Sequence, residues 1–564
     1  MAAGLAAAVA APFLLSGLGA VPFDDPGEGM HAEIARELLA AGRALPLTLG
    51  GVVYIDKPPL LYALLAATFS IAGPSETAAR LVSALAGLLA VGATAWLGAR
   101  LVDARTGLVA GLALLGSVGF FVYGRYVRPD ALFVAALALG FALVLSGLVD
   151  RRPARVIAGL AVFGVAALAK DPLGTLAPPL AIGLAMTVGG QARPVSRWLP
   201  WPGAVLALGL GFGWWALAEA ATPGFTWYTV VDNHVLNVAR ARVFPDEDVP
   251  LSAVEFATVA LLGAAPWVLA AAAVVARIVR RRAWRDPAEV AWIALALWAG
   301  GVFALTALSP FRLPHYGLPA YPAIALLAAR GWRELPVRGM AAVHAALFGA
   351  LAMACAVAWL TDGSAFMQSV IGASDVATRK SAVDLGPAPV PAWPAFQPLV
   401  GAAALVLAGG AVILATAAVT RARSLAVYTT IVTLALLLPS AAAALGLVSA
   451  HRAVKGIAEE VRRQAAPGDV LAHEGPLENA GALEWYSGRR PVIVEGRRSV
   501  LGFGASRPEW RDAFWDGARL ERVWQEPGRV WLVTGRPPER SVVARLPRAR
   551  LVAVGGGRRL YANR

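Results

Sequence analysis

The chain has 564 residues, of which 58% are hydrophobic and only 15% are charged, and its mean hydropathy is +0.62. A soluble protein of this size would carry about a quarter charged residues, so the composition excludes an ordinary soluble enzyme. Apolar runs of about 20 residues recur, each long enough to cross a lipid bilayer. Alternating ten-residue strands do not occur in the apolar part, which argues against an outer-membrane barrel. The sequence therefore predicts a polytopic helical membrane protein.

The net charge of +14 does not indicate a nucleic-acid partner, because the arginines gather in short loops between apolar runs. Such clustering is the orientation signal of membrane proteins and places these loops in the cytoplasm. The arginine-rich loops fall at residues 100–105, 151–155, 193–197, 277–285, 330–338 and 421–423.

The first apolar run, Ala2 to Val21, is longer than a signal-peptide core and lacks a basic start, so we expect an uncleaved transmembrane helix. A polar loop, residues 23–77, follows it. Within the loop, HAEIARELLAAG places Ile34, Leu38 and Leu39 on one helical face, which predicts an amphipathic helix along the membrane surface. The segment LLYALLAATFSIAG after Pro59 predicts a second interfacial helix.

A second kind of loop mixes acids, aromatics and prolines, and it alternates with the arginine-rich loops if about 13 spans are drawn. Under the positive-inside rule these loops face outward. They are the first loop, YGRYVRPD, AKDPLG, TWYTVVDNHVLNVARARVFPDEDVP, SPFRLPHY and residues 361–398. All the motifs whose residues could carry out chemistry then lie on one side of the membrane, which predicts an outward-facing site.

The character of the chain changes after Ser449. Short β-like runs, DVLAH, RPVIVEG, RVWLVTG and RLVAVGG, alternate with helical and Gly/Pro-rich segments. This pattern predicts a small outward-facing α/β domain at residues 450–564, after a membrane domain at residues 1–449.

Four acids lie at the membrane interface: Asp24, Asp25 and Glu28 after the first run, and Asp130 in GRYVRPD. A carboxylate in this position can act as a general base toward an acceptor. The alternative is a solvated or helix-capping acid, as Asp130 could be for the span that it opens.

Four cations accompany these acids: Lys57, Arg128, Lys170 and Arg312. Three have a proline within two residues and Arg312 has one on each side, which stiffens the backbone around the charge. Converging cations can neutralise a phosphate leaving group. The alternative is interfacial snorkelling toward lipid headgroups.

Histidines and a tyrosine complete the candidate set. His31, His234 and His315 are outward by this topology, and with Asp56 nearby they are candidates for substrate binding. A divalent metal stays open as a cofactor, although no recognised ligand spacing exists. Tyr316 is also readable as an aromatic belt residue.

The ordered set of motifs resembles bacterial aminoarabinose transferases and protein O-mannosyltransferase-like enzymes. The resemblance is carried by EGMHAEIAREL, YIDKPPL, PSETAARLVSALAG, GRYVRPDALF, AKDPLGTLAPPL, TWYTVVDNHVL, GAAPWVL and SPFRLPHYGLPAYPAIALLAARG. It implies a GT-C fold with about 13 transmembrane helices, two interfacial helices in the first loop and a C-terminal soluble domain.

The resemblance also implies an activity: transfer of a sugar from a polyprenyl-phosphate carrier to a cell-envelope acceptor at the outer face of the plasma membrane. It implies that Lys57, Arg128, Lys170 and Arg312 bind the donor phosphate, with Tyr316 beside them and Asp130 as a catalytic acid. No nucleotide-binding motif is present, which agrees with a lipid-linked donor.

The first loop departs from the family pattern. The usual Asp-Glu pair is Gly27-Glu28 here, and His31 replaces a tyrosine. The catalytic acid of the loop is therefore either Asp25 or Glu28, unless activity is altered or lost. Two alternatives to the transferase remain: a transporter or flippase of lipid-linked sugars, and an inactive polyprenyl-phosphate-binding relative.

Overall fold

The computed structural model describes residues 1–43, 45–245, 249–374 and 390–564. Parts of two predicted outward loops, residues 246–248 and 375–389, lie outside the described residues. The membrane part is helical. Its helices are α1 Ala2–Leu15, α2 Glu28–Ala41, α3 Leu60–Ala72, α4 Glu76–Leu101, α5 Ala104–Leu115, α6 Val118–Tyr123, α7 Pro129–Val149, α8 Pro153–Ala169, α9 Leu173–Val188, α10 Trp201–Ala221, α11 Ala253–Gly263, α12 Trp267–Arg280, α13 Val290–Leu308, α14 Tyr321–Glu334, α15 Val337–Leu360, α16 Ser364–Ser374, α17 Trp393–Thr420 and α18 Arg423–Arg452.

Seven of the described helices are long and apolar enough to cross a membrane, and an eighth span results if α11 and α12, bent by 104°, are counted together. Five shorter apolar helices, α1, α3, α5, α8 and α9, accompany them. These helices confirm a multi-pass helical membrane protein. The total of about 13 spans stays a prediction.

The two ends of α7 separate the two kinds of loop. Asp130 lies in its first turn, and Asp150 follows its last residue. Arg100 and Arg155 from the arginine-rich loops each place a guanidinium nitrogen 2.5 Å from the Asp150 carboxylate. A helix of 21 residues is about 30 Å long, which is the thickness of a hydrocarbon core. Asp130 and the arginine-rich loops therefore lie at opposite ends of one span.

The first helix is shorter than the predicted run from Ala2 to Val21, because α1 ends at Leu15 and Gly17 adopts a left-handed conformation. The backbone carbonyls released by this early end bind arginines. Arg125 donates to the carbonyls of Phe13 and Ser16, each at 2.6 Å. Arg80 of α4 donates to the carbonyls of Leu18, Val21 and Pro22 at 2.7–2.9 Å.

The C-terminal region, residues 453–564, is built on a six-stranded sheet, which confirms the predicted α/β architecture. Its helices are α19 Lys455–Gln464, α20 Leu483–Ser487, α21 Gly502–Ala505 and α22 Gly517–Gln525. The strands are β3 Val470–Glu474, β4 Val492–Val494, β5 Phe514–Trp515, β6 Val530–Thr534, β7 Arg550–Gly555 and β8 Arg558–Ala562, after the small hairpin β1 Thr48–Leu49 and β2 Val52–Val53 in the first loop.

The sheet order is β5-β4-β3-β6-β8-β7. Strand β3 is parallel to β4 and β6, with Ala472 opposite Val492 and Leu532. Strand β8 is antiparallel to both β6 and β7. The four predicted strands are β3, β4, β6 and β7. The sequence analysis missed β5, which has two residues, and β8, whose RRLYA begins with two arginines.

The first loop and the C-terminal region share one hydrophobic core. Phe23, Ile34 and Tyr62 of the loop are each less than 1% exposed and belong to the same buried cluster as Leu483 and Trp531. The two predicted helices of the loop are present as α2 and α3. Residues 28–35 of α2 are all buried, so the protein covers its first turns on every side.

Glycines allow α2 to contact the C-terminal backbone directly. A Cβ atom added at Gly29 would lie 2.5 Å from the backbone nitrogen of Ala482. A Cβ atom added at Gly481 would lie 2.5 Å from the backbone nitrogen of Met30. Both distances are far below van der Waals contact, so only glycine permits this approach.

We expect Gly29→Ala to destabilise the protein by about 1–3 kcal/mol, because the new methyl group must push the C-terminal region away from α2. Gly456→Ala is the matched control, since Gly456 is also helical and a Cβ atom there meets nothing within 4 Å. Thermal unfolding midpoints of the detergent-solubilised proteins provide the measurement. Equal midpoints for the two variants would show that the contact is not tight.

Candidate active site

One cavity of about 950 Å³ is lined by the motifs that were predicted to face outward. Nine residues singled out from the sequence line it: His31, Asp56, Lys57, Arg128, Asp130, Lys170, His234, His315 and Tyr316. Three others of that set, Asp25, Glu28 and Arg312, are not among its lining residues. The predicted convergence of the outward loops on one place is therefore present in the structure.

Asp130 is at the centre of a buried ion-pair network at the polar end of the cavity. Its carboxylate is 2% exposed and accepts a hydrogen bond from the Lys170 ammonium on one oxygen. Arg128 Nε lies 3.4 Å from the other oxygen. Lys170 caps the end of α8, next to the start of α7, which brings the two charges together. Burial lowers the pKa of Lys170, and the Asp130 carboxylate limits the decrease.

A short 3₁₀ helix, Pro314–Ala320, adds His315 and Tyr316 to this network. Arg128 Nη2 lies 3.3 Å from His315 Nε2, and burial lowers the pKa of His315 well below its usual range. His315 is therefore a neutral hydrogen-bond partner. Lys170 Nζ lies 4.9 Å from the centroid of the Tyr316 ring, which is within the range of a cation–π contact.

Lys57 brings a third cation to the cavity from the first loop. Its ammonium donates to the carboxylate of Asp56, and Pro58 and Pro59 follow directly in the chain. Burial alone would raise the pKa of Asp56, but the charges of Lys57 and Arg242 hold it below its usual value. Asp56 is therefore an anion that orients Lys57.

His234 lies on a π-helical segment, Trp227–Leu236, where the sequence had indicated only an outward loop. Its Nδ1 lies 2.6 Å from the carbonyl oxygen of Thr229, and its Nε2 lies 3.3 Å from Asp171 Oδ2. The hydrogen bond to Asp171 raises the pKa of His234. Asn233 and Asn237 of the same stretch also line the cavity. No sequence signal marks a π-helix, although such turns are frequent at functional sites.

Glu28 does not line the cavity, and both of its carboxylate oxygens accept hydrogen bonds. Both of its oxygens accept from Arg80, at 2.9 and 2.6 Å. The backbone N–H groups of Val127 and Asp24 also donate to this carboxylate, each at 3.0 Å. The side chains of Glu28 and Arg80 are 1% and 6% exposed. Glu28 therefore ties the first loop to α4 and to the start of α7.

Asp25 ties the same loop to the C-terminal region. Its two oxygens accept from the backbone N–H groups of Ala482 and Val454, at 3.1 and 3.2 Å. Burial raises the pKa of Asp25, and the guanidinium of Arg558 opposes that rise. Neither Asp25 nor Glu28 thus has a free oxygen directed into the cavity.

Asp24 is the acid of the first loop that does line the cavity. Arg452 Nε and Nη2 donate to its two oxygens at 3.0 and 2.5 Å, and the Tyr126 hydroxyl also donates to it. The sequence analysis named Asp24 among the four acids that can act as a general base, but the alternative it carried forward was Asp25 or Glu28. The partner of Asp24, Arg452, was missed, because nothing local relates residues 428 positions apart.

Arg312 donates hydrogen bonds to backbone carbonyls and does not line the cavity. Its Nε donates to the carbonyl oxygen of Leu251 at 2.8 Å, and its Nη1 donates to the carbonyls of Ala307 and Ser309. The Leu251 N–H donates in return to the Arg312 carbonyl at 2.8 Å. Arg312 therefore fixes the loop that carries His315.

The other end of the cavity is apolar. Side chains of α7, α9 and α13 form this part: Leu137, Phe141, Ala177, Leu180, Ala181, Leu184, Leu297, Trp298, Val302 and Leu305. Phe141 and Trp298 stack with ring centroids 4.0 Å apart. A Cβ atom added at Gly300 or Gly301 would meet nothing within 4 Å, so the wall of α13 is open there. The cavity is therefore amphipathic, with cations at one end and an apolar channel at the other.

Three acids outside the cavity approach one another closely. Ligand atoms of Glu33, Glu37 and Glu484 lie within 4.8 Å of one another. Arg36 donates to Glu33 at 2.9 and 2.6 Å, and Arg490 Nε lies 3.3 Å from Glu484. The two arginines supply the positive charge that a metal would otherwise bring, so this cluster is explained without one.

Comparison with known protein families and solved structures supports the fold described above. A profile of the dolichyl-phosphate-mannose-protein mannosyltransferase family matches residues 56–215. The structure is similar to that of ArnT from Cupriavidus metallidurans bound to undecaprenyl phosphate, with a TM-score of 0.80 at 22% identity over 100% of this chain and 98% of ArnT. The chain has the ArnT fold.

The apo structure of the same ArnT gives a TM-score of 0.79 at 22% identity, over 100% of this chain and 97% of ArnT. A comparison with curated protein sequences finds no match. The predicted GT-C fold, and the resemblance from which it was inferred, are confirmed.

We expect Glu28→Gln to destabilise the protein by about 3–5 kcal/mol, because it leaves the buried Arg80 guanidinium without a counter-charge. Glu460→Gln is the control, since Glu460 pairs with Arg463 at the surface. The fraction of folded protein after purification and the unfolding midpoint are the measurements. A catalytic role for Glu28 would instead give a protein of normal stability that has lost turnover.

We expect the stability of the protein to depend on Glu484 between about pH 4.5 and 7. Burial, together with Glu33 and Glu37, raises the pKa of Glu484 from 4.5 to about 7. In this window the unfolded chain has lost the proton that the folded chain keeps, so stability falls as pH rises. Glu484→Gln removes this term. Relative to wild type, the variant should gain roughly 1–3 kcal/mol between pH 4.5 and 8, measured by unfolding at each pH. A constant difference would contradict the expectation.

Proposed function

We propose that this protein is an integral-membrane glycosyltransferase that transfers a sugar from a polyprenyl-phosphate carrier to a cell-envelope acceptor. The single observation that carries the proposal is the amphipathic cavity. Its apolar channel suits a polyprenyl chain, and Lys57, Arg128 and Lys170 at its polar end suit a phosphate. ArnT, which shares the fold, has been seen with undecaprenyl phosphate bound.

The cations at the polar end act on the leaving group. When the bond between the sugar and the phosphate breaks, negative charge develops on the phosphate oxygen. Lys57, Arg128 and Lys170 stabilise that charge in a partly buried site. Asp130 holds Arg128 and Lys170 in position, and Tyr316 contacts Lys170 through its ring face. Asp130 therefore acts through the cations that it orients.

The remaining predicted residues fall into two groups. His31, His234, His315 and Asp56 line the cavity and are placed to contact the donor or the acceptor. Asp25, Glu28 and Arg312 support the cavity from outside through the contacts that occupy their polar atoms. We propose structural roles for these three.

The proposed location is the plasma membrane, with the cavity at the outer face. The arginine-rich loops lie about one membrane thickness away from Asp130 along α7, and the positive-inside rule places them in the cytoplasm.

A second candidate is an inactive relative that binds a polyprenyl phosphate without transferring a sugar. The observation in its favour is that Gly27 lies at the cavity wall, at the position where the family pattern of the first loop has an aspartate. Binding of undecaprenyl phosphate without release of any sugar would favour this reading. Movement of an intact sugar-linked lipid across a vesicle membrane would favour a flippase.

We expect Lys57→Ala to weaken undecaprenyl phosphate binding by about 10–100-fold, because one charge-assisted hydrogen bond is lost. Lys455→Ala is the matched control, since Lys455 pairs with Glu76 outside the cavity. Binding is measured on the full chain in nanodiscs by native mass spectrometry.

Turnover is measured as release of undecaprenyl phosphate from its mannose, glucose and aminoarabinose conjugates with an envelope extract as acceptor. We expect Asp130→Asn to lower turnover by about 100-fold, because Lys170 and Arg128 lose their orienting partner. Unchanged turnover in both Lys57→Ala and Asp130→Asn would overturn the proposed function.

A further inference from the structure

His31 occupies the part of the cavity wall where an acid of the first loop was expected. Between residues 24 and 31, the wall is formed by Asp24, Pro26, Gly27, Met30 and His31. Asp24 is held by two nitrogens of Arg452 and by the Tyr126 hydroxyl. The other side chains of this wall segment cannot take a proton. His31 is the remaining group of the segment with proton-accepting chemistry.

Two buried tyrosines fix the protonation of the His31 ring. His31 Nδ1 lies 2.9 Å from the hydroxyl oxygen of Tyr62, and the Tyr62 hydroxyl donates to the Tyr54 hydroxyl at 3.2 Å. With the Tyr62 proton directed to Tyr54, the Tyr62 oxygen accepts a hydrogen bond from Nδ1–H of His31. Nε2 is then unprotonated, and it makes no hydrogen bond within the parts of the chain that the structure describes.

The charges around His31 link its basicity to the presence of a donor. Burial, reinforced by Arg128 and Lys57, lowers the pKa of His31 to about 3, while Asp130 and Asp56 oppose the decrease. The imidazole is therefore neutral before a donor binds. A phosphodiester anion on Lys57 and Arg128 cancels the charges that disfavour an imidazolium, so the ring becomes more basic once the donor is in place.

We propose that His31 Nε2 is the general base that accepts the proton of the acceptor hydroxyl, an inference that rests on the proposed function. The acceptor oxygen forms a bond to the anomeric carbon while its proton passes to Nε2. The bond between that carbon and the phosphate oxygen breaks, and the polyprenyl phosphate leaves with the electron pair. The imidazolium then returns the proton to the released phosphate, so that protons and charge balance.

Proton transfer to His31 explains how this chain can retain a general base although Gly27 stands at the position of the aspartate in the family pattern. An aspartate at residue 27 would bring its own carboxylate to the wall. Here Gly27 lies against Tyr126, since an added Cβ atom would be 3.3 Å from the Tyr126 hydroxyl oxygen. The base is provided four residues later, one helical turn along α2, by His31.

The test uses the full chain in nanodiscs with His31→Gln and His31→Ala. With the undecaprenyl-phosphate conjugate that wild type turns over, we expect kcat to fall by about 100-fold or more. The donor KM and the binding of free undecaprenyl phosphate should stay within about twofold of wild type, because the base is used in the transition state. Added imidazole should restore His31→Ala turnover by about tenfold or more, because it can replace the missing ring.

Tyr62→Phe is the second variant, which leaves His31 in place but removes the oxygen that receives Nδ1–H. We expect it to lower kcat by about tenfold with little change in donor binding, because the ring loses its fixed tautomer. His451→Gln is the matched control, since His451 is exposed and does not line the cavity.

The outcomes separate this inference from the function on which it rests. Wild-type turnover with His31→Ala retaining more than half of kcat would overturn the role of His31 alone. Loss of turnover that imidazole does not restore, in a variant that binds undecaprenyl phosphate normally, would overturn it too. If the His31 variants do not fold, an unchanged kcat in Tyr62→Phe overturns it. Absence of wild-type turnover with every conjugate would overturn the proposed function, and the base with it.

Discussion

Buried carboxylates in the first loop must find donors, and this requirement holds the molecule together. Glu28, Asp25 and Asp24 are each 2% exposed or less, and burial of an unpaired carboxylate costs several kcal/mol. Glu28 is paired with Arg80 of α4, Asp25 with two backbone N–H groups of the C-terminal region, and Asp24 with Arg452 at the end of α18. Three acids within five residues of the loop thus bind three different parts of the chain. Of the three acids, Asp24 also lines the cavity.

The acids and the cations near the cavity therefore have different roles. Asp24, Asp25 and Glu28 fix the structure, while Lys57 of the first loop and Arg128 and Lys170 of two later loops line the cavity. Asp130 differs from these three acids, because its carboxylate organises Lys170 and Arg128 rather than joining distant parts of the chain. The positive end is thereby prearranged before any anion arrives, so little reorganisation is needed when a phosphate binds. Such prearrangement lowers the folding stability. The hydrogen-bonded acids Asp24, Asp25 and Glu28, together with the hydrophobic core shared by the first loop and the C-terminal region, offset this loss.

The sequence was informative where polarity interrupts apolar runs. Lys57, Arg128, Asp130, Lys170 and His315 each stand out against an apolar background, and positive-inside reasoning placed them on one side. The fold class, the two helices of the first loop and four of the strands were recognisable for related reasons. The partner of each charge was not recognisable. Arg312 looks like a phosphate ligand in SPFRLPHY, yet three backbone carbonyls within reach take its donors. The apolar channel was also missed, because its residues come from three helices and look like ordinary lipid-facing positions.

The pairing of Asp24 with Arg452 has a consequence for how the chain is made. The two residues are 428 positions apart, and synthesis at 5–20 residues per second separates them by roughly 20–90 s. Throughout that interval Asp24 and Asp25 lack their partners, and the apolar residues that the first loop buries against the C-terminal region stay uncovered. The nascent protein therefore presents an incomplete structure to the translocation machinery and to proteases until its last hundred residues emerge. Biogenesis of the cavity ends with the C-terminal sheet, so a ribosome that stalls within it leaves a full set of membrane helices without a closed site.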